Sequence, residues 1–250
     1  MAVNEPREPM LSLRGLSKSF DASADVVNNI NLEIAEGEFV SLVGSSGCGK
    51  STVLRIAASL ETATHGTCEV KTSNIGFVFQ DPTLLPWRTV KRNIDLLLEL
   101  HDLPKNERDQ RTSEIISVVG LEGSEHKYPR QLSGGMRMRT SLARSLVTAP
   151  ELFLFDEPFG ALDELTRERL NDELLAIYAR RRFAALFVTH SIAEAVYLSA
   201  RVAVMTSQPG SIAAIVDVPF EYPRDHSIRY TPEFAAVCGQ VSSALRLEVA

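Results

Sequence analysis

The stretch "GSSGCGKST", Gly44 to Thr52, decides the reading of this 250-residue chain. It fits G-x-x-x-x-G-K-[ST], a glycine-rich loop whose backbone N–H groups close around phosphate oxygens. The run "EFVSLVG", residues 38–44, reads as a strand leading into the loop, and a helix is expected from about Ser51 to Leu60. A plain glycine turn between strand and helix would have no need of the lysine. Gly44, Gly47 and Gly49 let the backbone approach a phosphate with no Cβ in the way. Ser45, Ser46, Cys48 and Thr52 complete the cradle; Lys50 is expected to reach the β- and γ-phosphates of a nucleotide, and Ser51 to ligate Mg²⁺. Cys48 lies near a helix start, where thiols ionise more easily, but a small filler side chain is the simpler reading than a redox sensor.

Two further apolar runs, "ELFLFDE" (151–157) and "AALFVTH" (184–190), suit parallel strands buried on both faces. Ligands of open α/β sheets gather at the carboxyl ends of strands. Asp156 and Glu157 stand at such an end: Asp156 suits Mg²⁺, through water, and Glu157 is placed to polarise an attacking water. An acidic helix start is the competing reading of the pair. His190 also follows a strand, yet a lone histidine is more often structural than catalytic. Ser191 and Glu194 form an S-x-x-E capping box, and Gln80, after "IGFVF", reads as a surface polar residue.

Residues 11–43 hold "LSLRGLSKSF" and "INLEI", which alternate as half-exposed antiparallel strands do. From about Lys91 to Val147 helical spacing takes over, with Ile94, Leu97 and Leu98, then Ile115, Ile116 and Val119. Within it, Ser133, Gly134 and Gly135 of "LSGGMRMRT" precede a helix expected over Met136 to Val147. Such a helix start attracts anions, and it lies 83 residues beyond Lys50 (133 − 50). "RVAVM" and "AAIVDV" are later strands, and Phe234, Val237, Val241 and Leu245 space out a packing helix. The expected fold is α/β: a P-loop NTPase core with a mainly parallel sheet, an N-terminal antiparallel β subdomain and an inserted α-helical subdomain. Its parts are 11–90 with 148–216 as the core, 91–147 as the helical subdomain and 217–250 as a C-terminal extension of one domain.

The net charge of −6, from 26 basic and 32 acidic residues, gives nucleic acid no obvious footing. Three separated cysteines, Cys48, Cys68 and Cys238, argue against a zinc site or a disulfide framework. "MAVNEPREPM" has no apolar core, so no signal peptide is expected, and no apolar run approaches the ~20 residues that span a bilayer. The chain is expected in the cytosol, or at a membrane only through a partner.

Taken in order, "GSSGCGKST", Gln80, "LSGGM", "LFLFDEP", "FGALD" and His190 resemble the ATP-binding cassette ATPases over about residues 11–216. The resemblance implies ATP and Mg²⁺ as ligands and assigns further roles. Phe20 matches the residue that stacks on adenine, and Gln80 the glutamine that touches Mg²⁺ and couples the subdomains. Ser133, Gly134 and Gly135 match the signature loop, which closes over the ATP held by a second copy. Asp163 matches the acid of the loop that crosses the dimer interface, and His190 the switch histidine at the γ-phosphate, reversing its structural reading. Met136 replaces the usual signature glutamine, and Phe20 the commoner tyrosine, keeping the π-face.

A narrower resemblance, carried by "VFQDPTLLPWRTVKRNI" (78–94), "GCGKST" and "VAVMTSQPGSI", is to the nitrate, sulfonate and taurine importer ATPases, with thiamine-precursor importers close by. On its own Trp87 divides evenly between core plug and exposed anchor; the resemblance sets it near the surface that receives a membrane subunit. A soluble cassette ATPase would need two motif sets or long coiled-coil arms, for which 83 residues leave no room. A module that had lost hydrolysis would not need both Glu157 and His190. The expected protein is therefore the peripheral ATPase subunit of an importer at the cytoplasmic face of the membrane. It would pair with itself or a homologous ATPase, act on two membrane permease subunits, receive substrate through an extracytoplasmic binding protein, and leave nucleic acid alone.

Overall fold

The structure, a computed structural model, describes residues 9–21 and 24–246. The absence of a signal peptide was expected on residues that lie almost wholly outside this range, as do the last four residues of the C-terminal extension.

The chain opens with two strands, β1 (Pro9–Asp21) and β2 (Ala24–Ala35), then β3 (Phe39–Gly44) and helix α1 (Lys50–Ala57). Next come β4 (His65–Val70), β5 (Ile75–Val78), α2 (Val90–Leu100), α3 (Lys105–Val118) and α4 (Gly134–Leu146). β6 (Leu152–Asp156), α5 (Glu164–Arg181), β7 (Ala184–Thr189) and α6 (Ile192–Leu198) follow, and then β8 (Arg201–Met205), β9 (Ile212–Asp217) and α7 (Pro232–Arg246).

The apolar runs around the glycine loop form the middle of a six-stranded sheet ordered β5-β6-β7-β3-β8-β9. Every neighbouring pair is parallel except β8 and β9. Side chains alternate across a strand, so a strand covered on both faces is apolar almost throughout, with Ser41 of β3 a buried exception. Phe39, Phe153, Phe155 and Phe187 enter one layer with Tyr178 of α5. Val40, Leu42, Leu152, Leu154, Leu186 and Val188 enter the other with Val53 and Leu54 of α1. Each such side chain contributes about 1.5–3 kcal/mol by leaving water.

A second sheet, β2-β1-β4, is antiparallel. The alternation in "LSLRGLSKSF" does not run through unbroken: Leu11, Leu13 and Leu16 are all fully buried although the last breaks parity. A register shift between Leu13 and Leu16 accounts for this, with Gly15 at φ 58°, a left-handed value that glycine adopts without strain.

Two helix boundaries differ from the sequence expectation. α1 stops at Ala57, because Ser59 turns left-handed (φ 57°) and Leu60 is exposed. α4 starts at Gly134, two residues earlier than Met136, because Ser133 is the N-cap: its Oγ accepts the Met136 N–H at 3.3 Å. The helices between β5 and β6 bury Ile94, Leu98, Ile115, Ile116 and Val119 in the same core as Phe153, while Leu97 is only partly covered. On α7, Phe234, Val237 and Val241 are buried as spaced, and Leu245 is partly buried. Among the described residues no helix is long and apolar enough to cross a membrane.

Candidate functional site

The glycine loop leaves β3 at Gly44 and enters α1 at Lys50, with Gly47 and Gly49 at φ 80° and 97°. A Cβ on Gly49 would lie 2.3 Å from Cγ1 of Val27, so the loop needs glycine there for fit as well as for dihedral. Lys50 is only 5% exposed. Its Nζ donates to the carbonyls of Gly44 (2.9 Å) and Ser45 (2.8 Å) and lies 3.9 Å from Oε1 of Glu157. The buried Cys48 places its Sγ 3.8 Å from the same ammonium.

The ends of β6 and β7 supply the acids and the imidazole. Ser51 Oγ donates to Oδ1 of Asp156 at 2.7 Å, joining α1 to β6 across 105 residues. Burial pushes the Asp156 carboxyl up from its usual range, and the Ser51 hydrogen bond opposes that. Glu157 takes φ 43°, a left-handed backbone that costs a non-glycine residue roughly 1–3 kcal/mol. The acid pair does not open a helix: α5 begins at Glu164, so the acidic-helix-start reading falls away. Nδ1 of His190 stands 2.9 Å from Oε2 of Glu157.

The capping box after His190 is only half formed. Ser191 Oγ accepts the Glu194 N–H at 3.3 Å, but Glu194 does not return to the Ser191 N–H, which Thr189 Oγ1 takes at 3.0 Å. Glu194 turns inward to accept from the Thr189 hydroxyl instead, and burial holds its carboxyl above the ordinary range.

Other candidates share none of these hydrogen bonds among the described residues. Phe20 is 56% exposed with the Lys18 ammonium 4.9 Å from its ring centre. Ser133, Gly134 and Gly135 lie against the start of α5, where a Cβ on Gly135 would meet Thr166 at 2.9 Å and one on Gly134 would meet Leu162 at 3.3 Å. Asp163, between those two contacts, caps α5 by accepting the Thr166 N–H at 3.0 Å; the Thr166 side chain, then its backbone N–H, hold the Asp163 carboxyl below the usual range. Among the described residues no hydrogen bond joins the Ser133 helix start to the Gly44–Thr52 loop. Gln80 is exposed just beyond β5, at the sheet end that carries Glu157. Trp87 is 70% exposed, which removes the core-plug reading.

Three contributions escaped the sequence. Gly210 packs behind the glycine loop so closely that a Cβ there would fall 1.9 Å from the Cys48 carbonyl oxygen. Asn93, fully buried on α2, holds the loop after Gln80 by accepting the Leu85 N–H (2.8 Å) and donating to the carbonyls of Arg88 and Thr89 (2.9 and 3.0 Å). Arg144 of α4 donates to the carbonyls of Thr83 (2.9 Å) and Pro82 (3.1 Å) in the same loop. A glycine beside a proline in "QPG" was the one local signal; nothing in the sequence marks the other two.

A glycine-rich loop at the end of β3, with acids at the end of β6 across the intervening β7, places the molecule among the P-loop ATPases. The ABC transporter family profile matches residues 27–160, more than half of the chain, and the chain belongs to that family as its ATPase domain. It is 44% identical over 225 residues to the aliphatic sulfonates import ATP-binding protein of Bacillus subtilis, covering 87% of this chain and 86% of that one. It is 42% identical over 237 residues to the nitrate import ATP-binding protein of Synechocystis, covering 90% and 89% respectively. Among solved structures, a dimeric ATP-binding cassette in a post-hydrolysis state bound to ADP and Pi superposes with a TM-score of 0.74 at 30% identity. That match covers 85% of this chain and all of the other.

Proposed function

We propose that this ATPase energises the import of a small solute, nitrate or a sulfonate or a similar compound, through membrane permease subunits. The relatives named for nitrate and sulfonate import support the solute class. The observation that carries the reading is the convergence of Lys50, Glu157 and His190 at one sheet end.

In this reading Lys50 exchanges the Gly44 and Ser45 carbonyls for the β- and γ-phosphates of ATP, and the N–H groups of the loop line those phosphates. Ser51 and Asp156 fit Mg²⁺: a hydroxyl and a carboxylate already 2.7 Å apart match an ion that takes one or two protein oxygens beside phosphate. Mg²⁺ there would neutralise charge developing on the phosphate oxygens. Glu157 polarises the attacking water and His190 contacts the γ-phosphate, each within hydrogen-bond reach of the other. Phe20 stacks on adenine, and Gln80 reports the state of the site to the helical part, residues 91–147.

The helix start at Ser133 and the cap at Asp163 belong to the site of a second copy, or of a homologous ATPase. The dimeric relative bound to ADP and Pi supports pairing. Two permease subunits would dock near Trp87 at the cytoplasmic face, with an extracytoplasmic binding protein delivering the solute. Co-expression with the permease subunits tests this: the chain should co-purify with them, and solute-loaded binding protein should stimulate ATP hydrolysis in vesicles. Hydrolysis indifferent to the permeases would overturn the importer reading.

A further inference from the structure

α6 carries His190 on its first turn's doorstep, yet it is only seven residues long, too short to hold a position by its own hydrogen bonds. Its carbonyl end is secured from outside. The last four carbonyls of a helix have no partner within it. Here the Ala195 carbonyl accepts the Ser199 N–H (3.1 Å), and the Leu198 carbonyl accepts the Tyr222 hydroxyl (2.7 Å). Arg224 takes the two between: Nη1 donates to Val196 (3.1 Å) and Tyr197 (2.7 Å), and also to Ser199 (3.1 Å).

The guanidinium is itself held. It is 8% exposed, lies 4.1 Å from the centre of the Tyr222 ring, and returns Nη2 and Nε to the Phe220 carbonyl at 2.7 and 3.1 Å. Arg229 adds a second brace, 3.4 Å over the Tyr197 ring and paired with Asp172 of α5 at 2.7 Å. Phe220, Tyr222, Arg224 and Arg229 all come from the segment after β9.

We propose that Arg224 and Tyr222 are positioning residues for His190, so that the C-terminal segment is part of the hydrolytic apparatus rather than a packing appendage. The line of force is short: guanidinium and phenol fix the carbonyl end of α6, and α6 fixes the turn whose imidazole meets Glu157. A planar five-donor fork satisfies several carbonyls at once, which a lysine cannot reproduce. The inference rests on the catalytic reading of His190.

The test uses the full-length chain labelled with ¹⁵N-histidine. Its five histidines give a readable set of imidazole resonances, and His190→Ala assigns the one that matters. Arg224→Lys should move the His190 resonance and lower kcat for ATP about tenfold, with KM for ATP unchanged within about twofold. Tyr222→Phe, which removes one hydroxyl and leaves the guanidinium in place, should move both readings in the same direction by less. If Arg224→Lys does not fold, the same readings on Tyr222→Phe decide. An unmoved His190 resonance, a wild-type kcat, or a loss confined to KM would overturn the assignment. Should His190→Ala itself keep wild-type kcat, the catalytic reading of His190 fails instead, an outcome distinguishable from failure of the clamp.

Discussion

Nδ1 of His190 and Oε2 of Glu157 lie 2.9 Å apart, although 33 residues separate them in the chain. β6 and β7 are parallel neighbours in register, Asp156 opposite Val188, so residues just past both ends emerge side by side. The acid and the imidazole are therefore brought together by the strand register itself.

Replacing Glu157 with Gln keeps the size of that side chain and removes its basicity. Steady-state ATP hydrolysis should fall by about 100-fold or more, while ATP binding, followed by a fluorescent analogue, stays near wild type. Near-normal hydrolysis would remove Glu157 from the role of base.

Ser133 already caps α4, and its helix start makes no hydrogen bond to the Gly44–Thr52 loop among the described residues. In a mixed dimer with Ser133→Ala in one chain and Lys50→Ala in the other, the pattern of damage should depend on the arrangement. If the site is shared as proposed, both lesions would fall in one composite site and leave the second intact, so about half of the activity should remain. Placing both substitutions in the same chain should damage both sites and depress activity further. Equal activities in the two arrangements would exclude a shared site.

Gly210→Ala introduces a Cβ 1.9 Å from the Cys48 carbonyl oxygen and 2.3 Å from Cε of Met205. The backbone contact cannot yield without moving the glycine loop. A stability loss of about 1–3 kcal/mol is expected, with weakened ATP affinity, read by urea unfolding and nucleotide titration. Wild-type behaviour in both would show that the loop tolerates displacement.

Glu194 gives a pH dependence with a definite sign. Burial raises its folded-state pKa above the unfolded value, with Thr189 and Asn171 hydrogen bonds and the nearby Arg167 and His190 opposing. The folded chain then holds this proton more tightly, so its stabilising effect is complete below the unfolded pKa and is lost as pH rises through the folded one. Glu194→Gln should remove that decline, and the variant should gain stability relative to wild type as pH climbs from the ordinary carboxylate range. Parallel urea-unfolding curves for the two proteins across that range would contradict this.

Trp87 stands 70% exposed on a loop whose backbone Asn93 and Arg144 secure. Trp87→Ala should change folding stability by no more than about 0.5 kcal/mol and leave ATP hydrolysis by the isolated chain intact. Association with the permease subunits should weaken, measured by co-purification. Unimpaired association would place the docking surface elsewhere.

Much of this was written locally. "GSSGCGKST" needed only its own spacing, and the runs around Phe153 and Phe187 announced strands covered on both faces because no polar position interrupts them. Where one local rule met a competing one, the sequence was less sure. The S-x-x-E pattern at Ser191 promised a reciprocal cap, but Glu194 found the Thr189 hydroxyl inside the core. The alternation of β1 broke at Gly15, where a register shift outranks period two.

The sequence by itself determined the phosphate loop, the parallel core and the acids at its edge, since each depends on residue type and spacing within about ten positions of the chain. Only the tertiary structure decided that Gly210 backs the loop, that Arg144 and Asn93 hold the Trp87 segment, and that Arg224 and Tyr222 secure the helix behind His190. Those contacts are hydrogen bonds to backbone carbonyls or close approaches of backbone, which any sequence offers at every position. Which carbonyl meets which side chain is set by packing, not by pattern.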